Sequence, residues 1–171
     1  MVDPRPSLVQ IKLEGDSHRI MEGVRWEGKI TLKVDNRQAA VSQGDILFTA
    51  YGLSGMAVLD ISGETVAAIS RRQKTILAID LFPEMVFRQK QDAIRSRVRR
   101  MPDRKMEHFF TGWLNKRIGM AVVKACGIDL SKEAGSLSDR ELKNLARHME
   151  QLSFRPVGDT GLSDHPGAPG D

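Results

Sequence analysis

Between Lys29 and Val34 apolar side chains fall at every second position, Ile30, Leu32 and Val34 alternating with Lys29, Thr31 and Lys33. That is the period of a strand with one buried face. Leu8, Ile11 and Leu13 form a similar strand-like segment upstream. Asp35-Asn36 has turn chemistry, and Gln38–Val41 and Asp45–Phe48 read as two further short strands divided by a Ser42-Gln43-Gly44 turn. An apolar helix is predicted over 56–70, opening on Met56, Val58, Leu59 and Ile61, and Thr75–Leu81 reads as another strand. From Pro83 the period changes to that of helices. Residues 84–100 lack Gly and Pro until Pro102 ends the run. Met106–Leu114 places Phe109, Phe110, Trp113 and Leu114 on a helical surface, and Ile118, Met120, Val122 and Val123 belong to a next helix that Gly127 stops. Ser138 and Glu141 have the spacing of a capping box before Leu142, Leu145 and Met149. The organisation is α+β. Residues 4–82 form a mainly β, barrel- or sandwich-like subdomain with one helix, and 83–151 a compact helical subdomain. A returning strand follows at 152–157, then a Gly- and Pro-rich tail at 158–171 expected to be disordered.

The most informative stretch is 44–62, where a short buried strand, Ile46-Leu47-Phe48, passes through a glycine-flanked segment, Thr49–Gly55, into a helix. Gly52 and Gly55 relax the backbone there, and Ser54 is placed to cap the helix. The amides at the helix start could face an anion or a cofactor; the alternative is a tight strand-to-helix connection that needs small residues for packing alone. Asp60, within an otherwise apolar stretch, is expected to be half-buried and hydrogen-bonded to a neighbouring amide.

Composition narrows the function classes. With 171 residues, 40% hydrophobic and 28% charged, the chain suits one domain or two small ones. No run approaches the roughly 18 apolar residues of a membrane span. The N-terminal Met-Val-Asp-Pro-Arg-Pro-Ser has no leader pattern, so a cytoplasmic location is expected. Cys126 is the single cysteine and reads as an inert thiol in a helix interior. His18, His108, His148 and His165 show no metal-ligand spacing, and neither a Gly-x-Gly-x-x-Gly turn nor a Walker loop occurs. Gly52-Leu-Ser-Gly55 misses the hydrolase nucleophile elbow by one position. The net charge of +4 is concentrated in Arg88–Lys105, where Arg88, Lys90, Arg95, Arg97, Arg99, Arg100, Arg104 and Lys105 face only Asp92 and Asp103. Without interleaved aromatics the segment reads as a solvated helix face rather than a nucleic-acid site.

Leu47-Phe48-Thr49-Ala50-Tyr51-Gly52-Leu53-Ser54-Gly55-Met56 resembles the segment Leu-Phe-Thr-His-x-Gly-Leu-Ser-Gly-Pro of the BaiN-like NAD(P)/FAD-dependent oxidoreductases, also called aminoacetone oxidase family FAD-binding enzymes. It departs from that segment at Ala50 and Met56. Pro6-Ser7-Leu8-Val9, Gly127-Ile128-Asp129 and Phe154-Arg155-Pro156-Val157 are similar to further family landmarks, so the resemblance covers about residues 4–161. It implies a small Greek-key-like β-barrel joined to a helical subdomain, inserted between two sequence halves that make the FAD-binding domain. The glycine fingerprint, ribose-binding acid and glycine-rich closing segment that hold FAD have no counterpart in these residues, and the chain departs from the family after Gly161. A truncated or frame-shifted gene, or a cut domain, would end in this way. The resemblance therefore implies an insert domain that covers the flavin and shapes substrate access, a fragment inactive on its own that retains no FAD by itself. Its partners would be the FAD-binding halves. Thr49, Tyr51, Gly52, Leu53, Ser54 and Gly55 are the candidates to face them or the flavin; no catalytic residue transfers, and no metal is expected. The alternative is a free-standing binding module, for nucleic acid through the basic helix 88–105 or for protein, with self-association through bare apolar surface.

Overall fold

The structure, a computed structural model, describes residues 10–159. The chain divides into two compact units, one of residues up to Ile79 together with those from Ser153, the other of Asp80–Leu152. Leu8, the Pro6–Val9 landmark and the tail beyond Asp159 lie outside the described residues.

The first unit carries β1 (Ile11–Leu13), β2 (Arg25–Val34), β3 (Arg37–Phe48), β4 (Gly52–Ser54), helix α1 (Met56–Ser70) and β5 (Thr75–Asp80). The chain returns to it in β6 (Leu152–Phe154) and β7 (Pro156–Asp159). These make one seven-stranded sheet in the order β6-β5-β2-β3-β4-β1-β7. The consecutive strands β2, β3 and β4 pair antiparallel, and β1 returns beside β4, a Greek-key-like arrangement. The two ends of the sheet, β6 and β7, are separated in sequence by Arg155 alone. Two Cα steps span at most about 7 Å, so the sheet curls until its edges meet, as a barrel requires. Ile11, Ile30, Leu32, Ile46, Phe48, Leu53, Leu77 and Ile79 are fully buried, and Val58 and Ile61 of α1 are buried with them.

Two expectations fail here for physical reasons. Residues 37–48 are one strand, not two: β2 begins four residues earlier than its alternation showed, so Gln43 and Gly44 find partners in Lys29 and Gly28 and the predicted turn stays in the ladder. The true turn is Asp35-Asn36, both at positive φ (50° and 69°), as a two-residue hairpin loop demands. Asp60 is exposed on α1, because the apolar face of that helix is carried by Ala57, Val58, Ile61 and Ala68.

The second unit holds α2 (Phe87–Arg100), α3 (Lys116–Ala125) and α4 (Asp139–Glu150), with short 3₁₀ turns at Met106–His108 and Ala134–Ser136. α2 starts at Phe87 rather than 84: the Met85 amide bonds the Phe82 carbonyl in a turn, and Gln89 Oε1 accepts from the Val86 amide at the helix entrance. Residues 106–114 are successive turns rather than a helix, yet they bury Met106, Phe109, Phe110 and Leu114 as their apolar character requires. Phe109 and Phe110 pack edge to face at 5.0 Å, and Trp113 lies 5.6 Å from both Phe110 and Phe82. Asn115 caps α3 by accepting from the Arg117 and Ile118 amides, and Gly127 (φ +74°) ends it. Ser138 and Glu141 form the expected capping box on α4. No helix among the described residues is long and apolar enough to cross a membrane.

Candidate functional site

The motif stretch builds a tight corner. β3 ends at Phe48, and Thr49-Ala50-Tyr51 reverses the chain into β4, so residues 52–54 are a strand rather than part of an open loop. The Thr49 amide donates to the Gly52 carbonyl (2.9 Å). In return the Gly52 amide donates to Thr49 Oγ1 (3.0 Å), whose own hydroxyl donates to Gln10 Oε1 (3.0 Å). Gly52 lies against β1, where a Cβ would stand 1.8 Å from the Ile11 carbonyl oxygen. Gly55, at φ +96°, is the N-cap of α1, where a Cβ would stand 2.5 Å from the Asp45 carbonyl oxygen. Both glycines are thus required by backbone close approach. Ser54 does not cap α1, since the N-cap falls on Gly55 and no side chain caps the helix. Leu53 is fully buried in the core. Of the six candidates, Tyr51 is the one whose side chain reaches out, at 61% exposure.

Around Tyr51 the structure assembles residues that no sequence signal joined. An open groove of ≈ 350 Å³ is lined by Lys12, Glu14, His18, Arg19, Tyr51 and Val157 among others. The Arg19 guanidinium sits 6.0 Å from the Tyr51 ring centroid, and the Leu13 amide holds the Tyr51 carbonyl at 2.9 Å. His18, buried in the 3₁₀ turn Ser17–Met21, donates Nε2–H to the Ala50 carbonyl (3.0 Å) and so fixes the reversal from below. A contact spanning 32 positions leaves no local trace. The polar tip of Tyr51, two cations and one carboxylate give this groove the means to orient a polar ligand or partner segment.

Residues 5–165 match the family described as the HI0933-like protein barrel and H2TH domain, across nearly the whole chain. The chain belongs to this family. Its barrel is the β1–β7 unit, and its membership agrees with the resemblance carried by the Leu47–Met56 segment. A curated relative, the 3-dehydro-bile acid delta(4,6)-reductase of Clostridium scindens, is 25% identical over 160 residues, which is 94% of this chain and 39% of the relative. The chain therefore spans well under half the length of that reductase.

The described residues do not by themselves present a cradle for a whole FAD. The groove at Tyr51 is small and open, no glycine-rich turn among the described residues offers a row of amides to a pyrophosphate, and neighbouring backbone closes on the glycines of the motif. The other sequence candidates resolve individually. Cys126 is half-buried at the C-cap of α3, not in the helix interior. Burial, and then the charge of Glu141, push its thiol up to about 12. His148 Nδ1 lies 3.4 Å from the sulfur but donates its proton to the Asn144 carbonyl (2.9 Å), so it has no lone pair to act as base. No group of three or more metal-binding side chains occurs among the described residues.

The basic segment is not one solvated face. Lys90 is fully buried, its ammonium bonding the Met85 carbonyl (2.7 Å), Glu150 (3.0 Å) and Asp80 (3.2 Å). Arg97 donates to the Phe109 and Thr111 carbonyls and lies over the Phe109 and Trp113 rings at 5.8 and 5.7 Å. Arg95 pairs with Asp139 at 3.0 Å. Two of the eight cations are therefore internal braces of the helical unit, and a third is drawn to α4.

Proposed function

We propose that this chain is the insert domain of an NAD(P)/FAD-dependent oxidoreductase, covering the flavin and shaping substrate access while separate FAD-binding halves carry the redox chemistry. The observation that carries the reading is the Tyr51 corner. In this chain the family segment spends Gly52, Leu53, Gly55 and the Thr49 hydroxyl on folding the turn, and its unspecified position is filled by Tyr51, which projects over a groove with Lys12 and Arg19. Met56, at 72% exposure, opens α1 at the same corner. A corner so tightly built, with an aromatic left outside it, suits a face that meets another domain. Membership of the HI0933-like family and the partial coverage of a reductase support the same assignment. In this reading the enzyme is cytoplasmic, FAD belongs to the parent, and the isolated chain neither retains flavin nor oxidises NADH or NADPH.

Glycine substitutions cannot test the corner's role, because they break the fold first. The Tyr51 side chain can. In a full-length family member that carries an aromatic residue at the position equivalent to Tyr51, replacing that residue with alanine is expected to leave FAD bound while lowering kcat/KM by about tenfold, the loss of one good aromatic contact. The purified chain, incubated with FAD and gel-filtered, is expected to emerge colourless. Stoichiometric flavin on the chain, or unchanged kinetics in the alanine variant, would overturn the assignment.

A further inference from the structure

α2 and α4 enclose a groove of ≈ 540 Å³ lined by Arg95, Asp139, Arg140, Lys143, Asn144 and Arg147. The one carboxylate is occupied by Arg95. Arg140, Lys143 and Arg147 are exposed, and none pairs with a carboxylate among the described residues. Their spacing puts them on one face of α4, where 140 repels 143 and 143 repels 147. Arg140 also sits in the first turn of the helix, the end whose dipole disfavours a cation. Arg147, in the last turn, suits the helix dipole, but Arg140 and Lys143 have no such compensation, and the three together leave a row of positive charge open to an external polyanion.

The chemistry of the groove selects among polyanions. It offers no aromatic ring on which unpaired bases could stack, as single-strand binding uses, and no apolar anchor of the kind that centres a protein interface. What it does offer is a line of positive charge about 10 Å long, the seven steps from Arg140 to Arg147 at about 1.5 Å each. A duplex strand presents one phosphate per about 3.4 Å of axis, so about three phosphates fall within reach. We propose that the α2–α4 groove binds the phosphate backbone of double-stranded nucleic acid, without reading sequence. This is independent of the redox assignment, and it moves the charge that matters from the basic segment of α2 to Arg140, Lys143 and Arg147 on α4.

Fluorescence anisotropy of the whole chain with a labelled duplex of mixed sequence, titrated at salt from about 50 to 200 mM, tests it. Binding is expected at low salt, with log K falling against log salt at a slope of about −3. The triple variant Arg140→Glu, Lys143→Glu, Arg147→Glu should lose at least about tenfold in affinity and most of the slope. A charge-matched control on the other unit, Arg37→Glu, Arg71→Glu, Lys74→Glu, should lose far less. If the reversal variant is misfolded by circular dichroism, the triple alanine variant should still flatten the slope. No binding at about 50 mM salt, or equal losses in the groove and control variants, would overturn the proposal. So would retention of poly-glutamate without duplex, which would point to an acidic protein instead.

Discussion

The two units of this chain solve the same problem by opposite means. The barrel unit is held where backbone meets backbone: Gly52 against Ile11, Gly55 against Asp45, and the Tyr51 carbonyl of the reversal on the Leu13 amide. Side chains add to this only at the reversal, through the Thr49 hydroxyl and His18, and Tyr51 is left outside. The helical unit is held by side chains. Lys90 gathers two carboxylates and a carbonyl, Arg97 bridges a run of turns, and Phe82, Phe109, Phe110 and Trp113 stack between them. A barrel built this way tolerates almost no added atom, whereas the helical unit is vulnerable to removed ones.

Each unit has its own tryptophan, Trp26 in β2 and Trp113 beside Phe110, so single-tryptophan variants can follow the two separately. The largest effect is expected from Gly52→Ala. With a Cβ built 1.8 Å from a backbone oxygen, the pairing of β1 with β4 must shift, and the barrel should lose about 3 kcal/mol or more in urea unfolding followed by Trp26. A loss below about 1 kcal/mol would mean that the strand slides at little cost and that the contrast drawn here is wrong. Next comes Lys90→Ala, which strands two partly buried carboxylates. The expected cost is about 2–3 kcal/mol, reduced from the fully buried case because Asp80 and Glu150 still touch water. Trp113 should report it, and an unaffected Trp113 transition would remove Lys90 from its central place.

The smallest effect concerns the capping box. Ser138→Ala should cost the helical unit about 1 kcal/mol at neutral pH. The Ser138 amide first, and then Lys132, hold the Glu141 carboxyl below its ordinary value near 4.5. A depressed carboxyl contributes stability that is present above its unfolded value and lost as pH falls through its folded one. The difference between wild type and Glu141→Gln, in Trp113 unfolding, should therefore shrink below about pH 4.5 and vanish in stronger acid. A constant difference across that range would show that Glu141 acts through packing instead.

Local signals were legible and distant ones were not. The alternation of Ile30, Leu32 and Val34, the Asp35-Asn36 turn, the capping box and Gly127 each express a rule confined to a few neighbouring residues, and each stands in the structure. The Ser42-Gln43-Gly44 turn failed because strand pairing with Gly28 and Lys29 overrode local composition. Lys90 looked like one more cation in a basic run, since its partner Glu150 lies 60 positions away. The corner motif was found by its glycines, but the groove beside it depends on His18 and Arg19 meeting residues 50 and 51 across the sheet. The cationic row on α4 was written plainly at 140, 143 and 147, yet it was overshadowed by the denser cluster upstream.

The single residue between β6 and β7 has a consequence for how this chain emerges from the ribosome. Residues 80–152 are contiguous and can fold as soon as they are made. The strands before them form a sheet whose open sides, β5 and β1, wait for partners that are translated only at 152–159. Until then two bare edges are available to any neighbouring nascent chain. The later-made unit thus matures first, and the earlier-made one is exposed to misassembly for the whole time its successor is being synthesised.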